Sequence, residues 1–110
     1  MNLKKPTLFV VALLSICTAV RAAEVSETWE KDCRKCHGSD GKGETKMGQK
    51  YGVKDYTSAD VQAKLTDAGM AKAIKEGVKD ADGKDRMKAY PDFTDDQVKA
   101  LVAYVRAFKK

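Results

Sequence analysis

At 110 residues, with 34% charged and 43% hydrophobic side chains, the chain is one domain at most and has the composition of a folded globular protein. Its formal net charge of +5 does not argue for nucleic acid, because more than half of the excess lies in the first 22 residues and no aromatic–basic interleaving follows.

The N-terminus departs from the rest. Lys4 and Lys5 precede a nearly uncharged run from Thr7 to Ala19, and Val20-Arg21-Ala22 ends it. A basic start, a short apolar centre and small residues before a cut after Ala22 predict a cleaved secretory signal peptide over 1–22, leaving a domain at 23–110. The apolar run falls short of the roughly 20 residues that span a bilayer, so no lasting membrane insertion is expected. Lipid modification at Cys17 is disfavoured by Ile16, where a small residue is normal. Cleavage removes Lys4, Lys5 and Arg21 and no acid, lowering the net charge to +2. The expected product is an exported, periplasmic domain that keeps only Cys33 and Cys36.

Ser26 or Thr28 is placed to cap a short helix with acids in its first turn. Val25, Trp29 and Cys33 fall at i, i+4 and i+8 along it, and Trp29 reads as a packing residue. The stripe leads into Cys33-Arg34-Lys35-Cys36-His37. Two thiols separated by two residues, followed at once by an imidazole, match the attachment motif for haem c. On a helical turn the three side chains share one side, so the sulfurs can take the two vinyl groups while the imidazole meets the iron. A disulfide is the ordinary fate of two cysteines in an exported domain, but His37 and the lack of any βαβ pattern make it the weaker reading. Zinc is weaker still, because the chain has one histidine and no fourth soft donor. A domain of this size has a thin core of side chains, and a porphyrin would enlarge it.

Three glycines in Gly38-Ser39-Asp40-Gly41-Lys42-Gly43 predict a turn away from the motif; no strand precedes it and no Gly-Lys-Ser/Thr follows, so it is not a phosphate loop. Lys46 to Tyr56 shows no periodicity and is expected to be an ordered loop. Thr57-Ser58-Ala59-Asp60 predicts a capped helix burying Val61 and Leu65, and Thr66-Asp67 opens a second with Met70, Ile74 and Val78 on one face. The two could be one helix kinked near Thr66. Asp80-Ala81-Asp82-Gly83-Lys84-Asp85 misses the EF-hand pattern and predicts a solvated turn. Arg86 to Pro91 is expected to be extended and irregular. Thr94-x-x-Gln97 is a capping box with Phe93 and Val98 as its staple. It opens a helix whose buried stripe is Val98, Leu101, Val102, Val105 and Phe108. No strand pattern is evident, so the fold is expected to be all-α.

With His37 the only histidine, a second iron ligand within the mature chain is Met47, Met70 or Met87. Met70 lies on a helical stripe and is more simply core; the neighbours of Met47 give little to fix it. Met87 lies on an irregular segment able to approach the opposite haem face, and is preferred.

These residues resemble the small monohaem class I cytochromes c of bacteria. The likeness runs through Trp29, Cys33-x-x-Cys36-His37-Gly38, Gly41-Lys42-Gly43, Ile74-x-x-Gly77, Met87 and the Thr94–Arg106 helix, essentially the whole mature chain. It implies three to five short helices around one covalent haem c, with Trp29 and Tyr104 near the crossing of the first and last helices. It also implies His37 and Met87 as axial ligands and single-electron shuttling rather than enzymatic turnover. Two departures stand out: no proline lies between Gly43 and Tyr56, where members often use a neighbouring carbonyl to hold the histidine, and Lys88 replaces the proline that often follows the methionine.

The expected role is a monomeric carrier that exchanges electrons with a protein oxidase, reductase or dehydrogenase. Lys35, Lys42, Lys46, Lys84, Arg86 and Lys88 could form a basic haem edge that steers acidic partners, although Asp40, Glu44 and Asp85 are interleaved. The alternatives are a haem enzyme or gas-binding protein with an open sixth position, and a haem subunit of a larger dehydrogenase or oxidase complex.

Overall fold

The computed structural model describes residues 21–110. The basic start and apolar run of the expected leader lie outside the described residues. In chain order these form a helical stretch over 21–28, a π-helical turn Trp29–Cys33, α1 (Arg34–His37), α2 (Lys46–Tyr51), α3 (Ala59–Lys64) and α4 (Asp67–Glu76). A hairpin of β1 (Val78–Lys79) and β2 (Asp85–Met87) follows, and α5 (Asp95–Arg106) closes the chain. The architecture is helical as expected, with one small antiparallel hairpin added.

The first helix does not begin at Ser26 or Thr28. Residues 21–28 are already helical, and Thr28 Oγ1 donates to the Glu24 carbonyl at 3.0 Å, the back-bond of a threonine inside a helix rather than at its start. The turn then widens. The Arg34 N–H reaches the Trp29 carbonyl five residues back, a π turn of the kind often found at functional positions. It delivers the chain directly into the Cys-x-x-Cys-His run.

The later helices begin where their caps predict. Ser58 Oγ accepts from Val61 N–H, and Thr66 Oγ1 from Gly69 N–H at 2.9 Å. Thr94 makes both halves of its box with Gln97, at 3.1 and 2.8 Å. Leu65 and Thr66 are extended, so α3 and α4 are separate helices rather than one with a kink. Lys46 to Tyr51, expected as loop, is a helix capped by Thr45, whose Oγ1 accepts from Gly48 N–H at 2.8 Å. Val78, expected beside Met70 and Ile74, is exposed instead: α4 stops at Glu76, and Gly77 (φ 78°) turns the chain into β1.

The hairpin grows from the turn at Asp80. Its Oδ1 accepts from the amides of Asp82 and Lys84, both at 2.9 Å, and its own amide donates to the Lys84 carbonyl. That carboxylate is occupied with holding the turn, which is the solvated turn expected here.

α4 packs on α5, and the core among the described residues is Trp29, Met70, Val98, Leu101, Val102 and Val105. Four of the five apolar residues expected on the α5 stripe are buried; Phe108 lies past the helix end and is half-buried. Trp29 packs against both Tyr104 and Phe108, with ring centroids 5.3 and 5.1 Å away, and those two rings meet edge-on at 5.3 Å. The first and last helical segments therefore meet at the aromatic pair the resemblance implied.

The buried residue of α3 is Gln62; Val61 and Leu65 are only half-buried. Gln62 Nε2 donates to the carbonyls of Tyr56 and Val105, and its Oε1 accepts from Arg106. Arg106 also donates to the Gln62 and Leu65 carbonyls and pairs with Asp67. One guanidinium thus joins α5 to the α3–α4 break. Arg106→Ala is expected to lower unfolding free energy by about 2 kcal/mol, because buried acceptors lose a charged donor. Chemical denaturation of the variant measures it.

Candidate functional site

A cavity of about 340 Å³ lies between the first helical segment and the 65–93 region. Cys33 and His37 line it from one side of the sequence, and Met70, Met87 and Tyr90 from the other. Leu65, Ile74, Leu101 and Val105 make it mostly apolar, with Lys64 and Thr66 also on its wall. Of the three candidate methionines, Met70 and Met87 reach the cavity lining. Met47 does not: it sits half-buried on α2. Cys36 is half-buried outside the lining, and both cysteines carry free thiols.

The motif is braced from below. Thr45 Oγ1 donates to the Cys36 carbonyl at 2.7 Å while capping α2. Gly48 brings α2 close: a Cβ there would collide with the carbonyls of Cys36 and Gly43, so only glycine permits the approach. Trp29 Nε1 donates to the Gly38 carbonyl at 2.9 Å, pinning the residue that follows the imidazole. The tryptophan therefore packs, as expected, and also anchors the end of the motif.

The His37 ring lies between two aromatics. Tyr56 stacks on it at 5.3 Å and 23°, and Trp29 is tilted against it at 5.6 Å. Burial holds the imidazole below its ordinary pKa, in the neutral form that offers a lone pair. Its Nδ1 is buried and has no protein partner, which fits the missing proline between Gly43 and Tyr56. Burial, with Asp32 and Cys36 nearby, pushes the Cys33 thiol up to about 12. Burial also raises the Tyr56 phenol. Burial thus disfavours the charged forms of Cys33, His37 and Tyr56 alike.

Tyr56 was not legible as a site residue. It is a single aromatic in an irregular stretch, and its stacking on His37 is a contact across 19 positions. Tyr90 was missed for the same reason. Among the described residues no cluster of three or more His, Cys, Asp or Glu side chains is placed to hold a metal ion by themselves.

Comparison with known proteins accords with this arrangement. The family described as cytochrome c oxidase, cbb3-type, subunit III matches residues 20–105. The chain belongs to the c-type cytochromes. The solved structure of the KustC0563 c-type cytochrome superposes with a TM-score of 0.65 at 33% identity, covering 77% of this chain and 96% of that one. A Tyr-to-Phe mutant of the same protein gives a TM-score of 0.64 at 32% identity, covering 77% and 98%. No curated protein sequence matches significantly.

Membership implies a covalently bound haem c, and the residues of this cytochrome fit one. The cavity is mostly apolar, and thiol, imidazole and thioether groups face it from different segments. No helix of the described residues is long and apolar enough to cross a membrane.

Proposed function

We propose that this chain is an exported single-electron carrier in which Cys33 and Cys36 hold one haem c and His37 and Met87 are its axial ligands. The observation that carries the reading is the convergence of Cys33, His37 and Met87 on one apolar cavity from segments 50 residues apart. When bound, the haem supplies a one-electron couple, and Met/His ligation favours the reduced state.

The chain's own residues do the rest. Two thiols fix the cofactor against loss. Trp29 and Tyr56 clamp the imidazole plane, and the neutral state of His37 keeps its lone pair available. Met87 and the apolar lining exclude water, so little has to rearrange when an electron enters or leaves. Met70 is the other thioether in reach; it is buried within α4 in the core cluster, which favours a packing role.

Lys35, Lys42, Lys46, Lys84, Arg86 and Lys88 are all exposed, and none of them enters an ion pair among the described residues. They support docking of an acidic redox protein. A monomeric periplasmic shuttle is the form proposed. The oxidase-subunit description of the matching family favours a second reading, a haem subunit of a larger complex with the same chemistry; gel filtration of native extract separates the two.

A redox titration tests the carrier role. The expected result is one reversible one-electron wave, with no binding of carbon monoxide by the reduced protein. Avid carbon monoxide binding by the wild type would instead place it with gas-binding or catalytic haem proteins.

A further inference from the structure

Met87 ends β2, opposite Val78, and the chain beyond it is irregular as far as α5. A two-stranded hairpin is marginal on its own in water, so what holds Met87 in place must come from elsewhere. Two side chains flanking it cross the molecule. Arg86, immediately before Met87, donates from Nη2 to the Tyr51 carbonyl at the end of α2. Tyr90, three residues after, donates its phenol to the Asp32 carbonyl at 3.1 Å, inside the π turn that carries Cys33.

The two anchors belong to one half of the molecule. The π turn runs into α1, and α2 packs on α1, so both bonds fasten the Met87 segment to the half bearing His37. The Tyr90 ring is itself fixed, stacked on Phe93 at 4.9 Å and 9°, and its amide donates to the Ile74 carbonyl at 2.8 Å. Neither side-chain bond is needed by the hairpin, which its own backbone pairs and the Asp80 turn close.

We propose that Arg86 and Tyr90 are positioning residues: a pair of struts that hold Met87 over the cavity and set how readily the sixth coordination position opens. The inference rests on the reading of Met87 as a ligand. A thioether is a neutral, weak donor, and its hold depends on a segment that cannot drift. An outside ligand binds only the fraction of molecules in which that segment has moved, so its apparent affinity reports the struts.

The test uses the haem-loaded ferric protein with imidazole as the probe. Tyr90→Phe keeps the ring stack and removes only the hydroxyl; Arg86→Gln shortens the strut, and Arg86→Lys restores a charged donor. Tyr90→Phe and Arg86→Gln are each expected to tighten imidazole binding by about twofold to tenfold, the range one hydrogen bond supplies. Amide hydrogen exchange at Met87 and Tyr90 should quicken in both, and Arg86→Lys should recover much of the wild-type behaviour. Asp92→Asn, an exposed position just beyond Tyr90, should change nothing. If Met87→Ala binds imidazole far more tightly while both strut variants match the wild type, the struts are refuted and the ligand reading survives. If Met87→Ala itself matches the wild type, both fall. If Arg106→Ala, destabilised elsewhere, tightens imidazole binding as much as Tyr90→Phe, the effect is general loosening and the proposal is overturned.

Discussion

Replacing Cys33 and Cys36 together by serine is expected to abolish covalent haem attachment and, with it, cooperative folding. Only six apolar side chains are buried among the described residues, and Trp29, Met70, Leu101 and Val105 of these line the cavity. Without the cofactor a cavity of about 340 Å³ is left unfilled among them, and the lost packing is large against the few kcal/mol that stabilise a small domain. The expected signature is a protein with no haem band on a denaturing gel and a broad, shallow thermal transition. A double serine variant that still melts sharply would mean that the side chains suffice and the cavity is not the organising core.

Met87→Ala is expected to leave haem attached and open the iron. An internal ligand that leaves about 0.1–10% of molecules open suppresses external binding in proportion, so its removal should raise cyanide affinity between about tenfold and a thousandfold. The weak red absorption of Met-ligated ferric haem should vanish with it. Met47→Ala should do neither, because Met47 stands on α2 outside the cavity lining. Met70→Ala should cost about 2–5 kcal/mol of stability, as a buried core truncation does, without opening the iron. Equilibrium cyanide titration of the three variants decides among them, and an effect confined to Met70→Ala would move the ligand to α4.

What the sequence made legible was local. Thr66 and the Thr94–Gln97 box announce their helices because a cap is a bond between residues three apart, and the Cys33–His37 spacing is a property of one helical turn. The buried stripe of α5 follows from its period. Gln62 is the contrary case: a polar residue reads as surface, yet it is buried because three partners from other elements satisfy it. α2 went unread because lysines and Gly48 mask its short pattern, although Thr45 was available as its cap. The hairpin strands of two and three residues are too short for alternation to register. Tyr56 against His37, Tyr90 on Asp32 and Arg86 on Tyr51 are all long-range, and only the folded chain brings them together. The Cys-x-x-Cys-His motif is therefore legible in the sequence, whereas these long-range contacts are not.

The most direct test is the intact mass and visible spectrum of the protein recovered after export. One haem added to a chain beginning at Ala23, with the colour surviving denaturation, is the predicted result. A colourless product lighter by two hydrogens, its paired thiols joined to each other, would contradict the account.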